Sequence, residues 1–310
     1  MQTHFGLENI QKLANAIVTS GTFDGVHIGH QKILARLSEV AKQASGESVV
    51  LTFWPHPRLV LFPDQTDLRL LSSLQEKMDL LGQYGIDHLI VLTFSKAFAA
   101  TTSHDFIQKI LVDQIGTKKL VIGYDHRFGR NREGGFDYLK AHSHEFGLEV
   151  EEIPRQDIDD VGVSSTKIRK ALLAGDIYTA NNYLGGEYML TGNVVKGEQV
   201  GRTIGYPTAN LEVDEPYKLI PEDGIYAVRV LVRKQVHQGM LYIGTRPTIG
   251  AKLKRAIEVN IFEFNQDIYH ETIRVYFVKA LRKDEKFQDL ASLQKQLEQD
   301  KLAALEVLNR

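Results

Sequence analysis

The first half of the chain alternates short apolar runs with longer segments in which apolar residues recur every three or four positions. Residues 16–18, 48–53 and 89–92 have the length and β-branched content of buried strands. After the first run, Ile33, Leu34, Leu37, Val40, Ala41 and Ala44 follow the helical spacing. The same alternation continues through helices at 70–82, 103–115 and 134–146 and strands at 119–124 and 148–153. This pattern predicts a doubly wound parallel sheet with helices on both faces.

The second half has a different pattern. A short helix over 176–184 ends at Gly185-Gly186, and beyond it the alternation of strands and helices stops. Residues 225–233 show the two-residue period, with Tyr226, Val228, Val230 and Val232 on one face. Further strands are predicted at 188–196, 236–243, 256–264 and 272–279, followed by a helix containing Phe287, Leu290, Leu293 and Leu297. We therefore predict an N-terminal α/β domain over 1–185 and a small antiparallel β-barrel with a terminal helix over 186–310.

Composition narrows the class of protein. A chain of 310 residues is longer than a single hydrophobic core usually accommodates, so two domains are expected. The net charge of −2, without a basic block, argues against a nucleic-acid partner. The chain has no cysteine, which excludes disulfides and thiolate chemistry and fits a reducing compartment. No run reaches about 18 apolar residues, so we expect no signal peptide and no membrane span. We also expect a cytoplasmic location, small-molecule substrates and no obligatory protein partner.

A glycine-rich turn joins the first predicted strand to the first predicted helix. Residues 21–30 read Gly-Thr-Phe-Asp-Gly-Val-His-Ile-Gly-His. Unpaired N–H groups and the positive dipole end at a helix N-terminus favour an anion, and glycines let the backbone approach it. The residues that we expect to bind phosphate here are Gly21, Phe23, Asp24, Gly25, His27 and His30. The alternative is that the two histidines are only a helix cap and a surface residue.

A second polar loop follows the strand at 119–124. Residues 125–132 combine Asp125, His126, three arginines and Phe128. An aromatic face could stack on a flat ring, and arginines could fork onto phosphate oxygens. The alternative is a solvated basic turn.

A third candidate segment opens the helix that follows residue 164. Hydroxyls and positive charge come together in Ser164, Ser165, Thr166, Lys167 and Arg169, with Ser164 as a natural N-cap. These groups could bind phosphate. The alternative is an ordinary capped helix whose basic face is exposed to solvent.

The predicted barrel contains its own glycine-rich segment, residues 201–211. Gly201, Arg202 and Gly205 could wrap phosphates, while Thr208 and Asn210 point the same way on an extended segment. A hydroxyl and an amide oxygen are ligands suited to Mg²⁺ beside nucleotide phosphates. An ordinary turn with a side-chain-to-backbone bond is the alternative.

The predicted barrel also carries a glutamate, Glu258, between apolar residues. It alternates with Ile257 and Val259 on a predicted strand, so it faces either a cavity or water.

Taken in order, these four motifs resemble the bacterial bifunctional riboflavin kinase/FMN adenylyltransferase family. The resemblance implies that the barrel phosphorylates riboflavin to FMN with ATP and Mg²⁺, and that the N-terminal nucleotidyltransferase domain adenylylates FMN to FAD. It implies Glu258 as the base, Thr208 and Asn210 as metal and phosphate ligands, His27 and His30 as stabilisers of triphosphate charge, and residues 164–169 as a second phosphate clamp. Asp125, Arg127 and Phe128 would bind the flavin of the adenylyltransferase site.

Three positions depart from the family pattern. His126 stands where the family generally has phenylalanine, Phe136 where a polar residue is usual, and His270 where glycine is common. The first two leave open a riboflavin kinase with a weak or silent adenylyltransferase. A flavin- or nucleotide-sensing module that binds without turnover is the alternative from another class.

Overall fold

The structure is a computed structural model of the chain, and it divides into two compact units, residues 1–164 and 165–310. It describes residues 1–8, 10–64, 67–124, 126–154, 162–197, 201, 204–247 and 253–309, with backbone only for 246, 247, 253 and 254. Each unit is taken by itself below. The predicted domain boundary after Gly185 stays a prediction.

The first unit is built on a six-stranded sheet in which every described pairing is parallel. Its strands are β1 Gln2–Phe5, β2 Ala16–Ser20, β3 Glu47–Trp54, β4 His88–Thr93, β5 Thr117–Gly123 and β6 Glu149–Ile153. Their order across the sheet is β1-β4-β3-β2-β5-β6. The chain therefore reverses direction across the sheet between β2 and β5, and in open α/β sheets the crevice at such a point holds ligands.

Helices cover both faces of this sheet, as the sequence pattern predicts. They are α1 Ile28–Gln43, α2 Pro57–Leu61, α3 Leu74–Gly82, α4 Lys96–Ala99, α5 Ser103–Asp105, the π-helical segment Phe106–Ile115, a 3₁₀ turn Arg130–Arg132 and α6 Phe136–Phe146. Alternate strand residues enter opposite cores: Ile17 packs with Leu34 and Leu37 of α1, whereas Val18 packs with residues of the π-helical segment. Each buried aliphatic side chain contributes about 1.5–3 kcal/mol.

The second unit begins with two helices and continues into a closed antiparallel barrel. The helices are α7 Ser165–Leu173 and α8 Ile177–Leu184. The strands are β7 Tyr188–Val195, β8 Ala209–Glu212, β9 Gly224–Val232, β10 Gln235–Pro247, β11 Leu253–Ile261 and β12 Thr272–Lys283, and the ring order is β10-β11-β8-β7-β12-β9. Helix α9 Leu290–Leu308 packs on the barrel through Ala304 and Leu308. The predicted fold class is confirmed in both units.

Two strands were missing from the predicted set. The sequence of β1, Gln-Thr-His-Phe, has no apolar run, and the strand lies at the sheet edge where it pairs only with β4 among the described strands. Strand β8 is four residues long and lies inside the glycine-rich segment. The terminal helix starts at Leu290 rather than near Phe287, because the Asp289 side chain caps it by accepting a bond from the N–H of Ser292.

Candidate active sites

The turn between β2 and α1 has an unusual backbone. Phe23, Gly25 and Val26 have positive φ angles of 46°, 82° and 42°. A positive φ is costly for a β-branched residue such as valine, so the surrounding contacts must hold the turn in place. The ring of Phe23 and the side chain of Val26 are both buried in the core below the turn.

The two histidines of the turn stack on each other where α1 begins. Their ring centroids are 3.7 Å apart with an angle of 16° between the planes. His27 is the N-cap residue, and its Nδ1 accepts a bond from the N–H of His30 at 3.4 Å. Burial, and after it His27 and Lys77, lowers the pKa of His30 well below its ordinary value. His30 is therefore a neutral imidazole at neutral pH, suited to donate an N–H rather than to supply a full charge.

Asp24 ties this turn to a segment from another part of the chain. Its carboxylate is buried, and Oδ1 accepts bonds from the N–H groups of Leu71 and Ser72 at 2.9 and 3.2 Å. In the other direction, the N–H of Gly25 donates a hydrogen bond to Ser72 Oγ at 3.2 Å. These bonds fix the turn that carries the histidines.

Lys77 on α3 is the residue of this region that sequence reasoning missed. It is only 1% exposed, and its Nζ lies 5.3 Å from the centroid of the Trp54 ring. Burial lowers the pKa of Lys77 to about 8, while the Asp24 carboxylate acts in the opposite direction. The signal was present in the sequence, because Lys77 occupies the same helical face as Leu74 and Leu81.

The second polar loop meets the first turn at the strand reversal. Ser20 at the end of β2 and His126 after β5 are joined by a 2.9 Å bond between Oγ and Nε2. Burial first, and then Arg127 and Arg132, lower the pKa of His126 to about 4 against an opposing hydrogen bond from Ser20. The ends of β2 and β5 are therefore joined at the edge of the sheet where their loops begin.

Two glycines make room for the predicted flavin-binding side chains. A Cβ on Gly134 would lie 2.6 Å from the Phe128 ring, and one on Gly135 would overlap the Arg127 guanidinium. The Phe128 ring also packs 5.5 Å from Phe106. Asp125 lies outside the described residues.

A row of phenylalanines near the ends of β3 and β4 also escaped the sequence analysis. Phe53, Phe94 and Phe98 have ring centroids 5.7–5.9 Å apart, and Phe98 continues towards Phe106 at 6.3 Å. These phenylalanines are scattered in the sequence, so no local motif predicts that their rings pack together.

The third motif divides between the units. Ser164 is the last residue of the first unit, whereas Ser165, Thr166 and Arg169 lie on α7 of the second. The helix begins at Ser165, directly after the predicted N-cap.

In the barrel, β11 lies between β10 and β8 and brings the predicted residues together. Glu258 lies opposite Asn210 in the ladder, and its Oε2 accepts a bond from Thr208 Oγ1 at 3.1 Å. Glu258 is 7% exposed, and Ile257 and Val259 are buried as well. The strand is thus covered on both faces, and Glu258 faces the barrel's polar cluster rather than open water.

Asn260, two residues further along β11, was also missed. Its Nδ2 donates to the carbonyl oxygen of Pro207 at 2.7 Å, which fastens the segment just before Thr208. Gly201 closes the start of this segment: its carbonyl accepts from the N–H of Tyr206 at 2.8 Å, and a Cβ there would lie 2.2 Å from the Tyr206 oxygen. Gly205 has a φ of 83°. Arg202 lies outside the described residues.

The donor set of this cluster fits a hard cation. The Thr208 hydroxyl is bonded to the Glu258 carboxylate, and Asn210 lies opposite Glu258 in the ladder. Mg²⁺ prefers such oxygens and usually keeps several waters and phosphate ligands, so few protein ligands suffice. In the described part of the chain, no group of three or more His, Cys, Asp or Glu side chains is arranged to hold a metal.

Comparison with known families agrees with both halves of the fold. The family model described as FAD synthetase matches residues 9–167, and the one described as riboflavin kinase matches residues 184–308. Together with the parallel-sheet and barrel folds, these matches define a two-domain enzyme of flavin nucleotide synthesis.

Curated relatives resemble the chain over nearly its whole length. The bifunctional riboflavin kinase/FMN adenylyltransferase of Haemophilus influenzae is 37% identical, covering 97% of each chain. The protein of the same name from Escherichia coli K12 is 34% identical over 97% of this chain and 96% of that one. The chain therefore belongs to the bifunctional riboflavin kinase/FMN adenylyltransferase family.

A solved structure supports the fold. The crystal structure of a protein from Streptococcus pneumoniae named as a macrolide-efflux protein has a TM-score of 0.89 and 33% identity, covering 98% of this chain and 99% of that one. Within the described residues of the present chain, no helix combines the length and apolarity needed to cross a bilayer.

Proposed function

We propose that this chain makes FAD from riboflavin in two ATP-dependent steps, one in each unit. The observation that carries the proposal is the succession of two family matches on one chain. The stacking of His27 on His30 and the bond between Thr208 and Glu258 support it. The substrates are riboflavin, FMN and ATP, and the cytoplasm is the compartment that we expect.

In the barrel, Glu258 accepts the proton of the riboflavin 5′-hydroxyl as its oxygen attacks the γ-phosphorus of ATP. The bond from the γ-phosphorus to the bridging oxygen breaks and ADP leaves. Thr208 and Asn210 would hold Mg²⁺ and the phosphates, and Gly201, Arg202 and Gly205 are proposed to bind the phosphates beside them. Mg²⁺ would supply charge neutralisation on the transferring group. The Thr208 hydroxyl keeps the Glu258 carboxylate oriented.

In the first unit, a phosphate oxygen of FMN attacks the α-phosphorus of ATP and pyrophosphate leaves. His27 and His30 donate N–H groups to the triphosphate as its charge builds, and the backbone of residues 21–25 approaches the phosphates. Asp125, Arg127 and Phe128 are proposed as flavin contacts. The assignment of Ser164, Ser165, Thr166 and Arg169 as further phosphate ligands stays a prediction from the sequence. No protein nucleophile is required.

The test is to separate the two steps by substitution. The purified chain would be incubated with riboflavin, ATP and Mg²⁺, and separately with FMN and ATP, and the products separated by chromatography. We expect Glu258→Gln to lower FMN formation by about 10²–10⁴-fold, the usual contribution of a general base. We expect His30→Gln to lower FAD formation by about 10²–10³-fold.

Each variant is the control for the other. Glu258→Gln should still convert supplied FMN to FAD, and His30→Gln should still make FMN. FMN without FAD from the unaltered chain would favour a kinase with a silent adenylyltransferase. If the chain binds flavin and ATP but forms neither FMN nor FAD, it is a sensing module rather than an enzyme.

A further inference from the structure

Lys77 is a deeply buried cation whose ammonium lies close to an aromatic ring. It is 1% exposed, and within the described part of the chain its ammonium has no hydrogen bond or ion pair, only the Trp54 ring at 5.3 Å. An ammonium has three donors and is costly to bury without acceptors. Helix α3 holds it there firmly, because Ser73 and Glu76 form a reciprocal capping box at the helix start.

The groups that face Lys77 belong to the adenylyl-transfer site. Asp24 on the first turn and His30 on α1 both interact electrostatically with it, and His27 stacks on His30. The Oδ1 atom of Asp24 already accepts two backbone N–H bonds. On its own helix, the neighbouring Glu76 serves the capping box. The positive charge therefore lies beside a phosphate-type turn, and none of the described residues accepts a hydrogen bond from the ammonium.

We propose that Lys77 binds a phosphate oxygen of ATP in the adenylyl-transfer site and stabilises the departing pyrophosphate. The inference rests on the proposed FMN adenylyltransferase function. A phosphate chain supplies the acceptors that the protein does not, and charge-assisted bonds from an ammonium to phosphate are strong. As the bond between the α-phosphorus and the bridging oxygen breaks, the electron pair goes to pyrophosphate, so a nearby cation lowers the barrier.

The experiment compares Lys77→Met, Lys77→Arg and the control Lys42→Met, all in the full chain. Lys42 is exposed in the last turn of α1. We expect Lys77→Met to lower FAD formation by about 10²–10³-fold, as for loss of one transition-state donor. Lys77→Arg should recover part of this rate. FMN formation in all variants, and FAD formation in Lys42→Met, should match the unaltered chain.

Pyrophosphate binding gives a readout that does not depend on turnover. Magnesium pyrophosphate should raise the thermal midpoint of the unaltered chain and of Lys42→Met but not that of Lys77→Met. Without ligand, Lys77→Met should melt at the same or a higher temperature, because a buried ammonium without hydrogen bonds has been replaced by an apolar side chain of similar length.

The pH dependence of FAD formation gives an independent test of the role of Lys77. The ammonium loses its proton as the pH rises through its pKa of about 8, so kcat/KM for ATP should fall above this pH. In Lys77→Arg this limb should move to higher pH, because the guanidinium stays charged.

Three results would overturn the proposal: FAD formation in Lys77→Met at the normal rate, a normal pyrophosphate shift in that variant, or lost activity together with a lower thermal midpoint. The last would show a structural lysine. Absence of FAD formation in the unaltered chain would instead contradict the proposed adenylyltransferase, and the pyrophosphate comparison would still decide the role of Lys77.

Discussion

The two candidate sites present polar groups to phosphate in different ways. In the first unit the site is a backbone turn with positive φ angles at Phe23, Gly25 and Val26, fixed by bonds from a remote segment to Asp24. In the barrel it is a set of side chains on paired strands, with Thr208 bonded directly to Glu258. The first design depends on buried charge and strained backbone, whereas the second depends on which residues lie opposite each other in the ladder.

Removing the anchor of the first site should have the largest effect on stability. Asp24→Ala leaves two buried N–H groups without their acceptor and takes a counter-charge from Lys77. We expect the free energy of unfolding to fall by about 3 kcal/mol. Trp54, the single tryptophan, lies in this unit and can report urea unfolding by fluorescence.

Asp24→Asn is the matched control, because it keeps an oxygen acceptor and should lose less. A change below about 1 kcal/mol in Asp24→Ala would mean that the turn holds its shape without the anchor.

The buried imidazole of His126 should make the first unit sensitive to acid. Its pKa is about 4 in the folded chain, mainly because of burial, against about 6.5 when unfolded. The unfolded chain therefore binds a proton first as the pH falls below about 6.5, and stability is lost from there down to about pH 4. At pH 5 the loss from this residue should be about 2 kcal/mol.

His126→Phe should remove this part of the acid sensitivity. The measurement is the difference in unfolding free energy between pH 7.5 and pH 5, followed by Trp54 fluorescence in both proteins. Equal differences in the two proteins would place the acid sensitivity elsewhere, for example at His30, whose pKa is also lowered.

In the barrel, the candidate site is supported by an uncharged side-chain hydrogen bond, whereas Asp24 supports the site of the first unit with a carboxylate. Asn260→Ala removes the bond from Nδ2 to the Pro207 carbonyl. We expect a loss of about 1.5 kcal/mol, smaller than for Asp24→Ala because no charge is left uncompensated. Thermal unfolding followed by circular dichroism measures it, and a loss as large as that of Asp24→Ala would remove the contrast between the sites.

The smallest expected change has the opposite sign. His270 is exposed and has a φ of 66°, a conformation that glycine adopts without strain. This explains why glycine suits the position, and His270→Gly should raise the free energy of unfolding by up to about 1 kcal/mol. A lower thermal midpoint would show that the imidazole makes a stabilising contact that outweighs the strain.

The sequence predicted the fold well where the pattern of apolar residues is local. Strands such as 48–53 are buried and continuous, and their interpretation needed no tertiary information. β1 was missed because it is held by backbone pairing with β4 rather than by an apolar face. Local pattern cannot show such a long-range pairing.

The sites were predicted only as far as they are contiguous motifs. The turn carrying His27 and His30 was found, but its supports at Leu71, Ser72 and Lys77 come from another part of the chain. Glu258 was expected to face a cavity or water, and the structure buries it beside Thr208, a residue distant in sequence. Only Lys77 gave a sequence signal, as a cation on an apolar helical face.

The pairing of Glu258 with Asn210 has one more consequence. Side chains on a strand alternate between faces, so a slip of one residue between β8 and β11 would turn the carboxylate away from Thr208 and Asn210. With the role proposed for Glu258, a barrel closed in the wrong register would be catalytically inactive. Kinase turnover per molecule thus doubles as an assay of correct assembly, sensitive to errors that a measurement of strand content would miss.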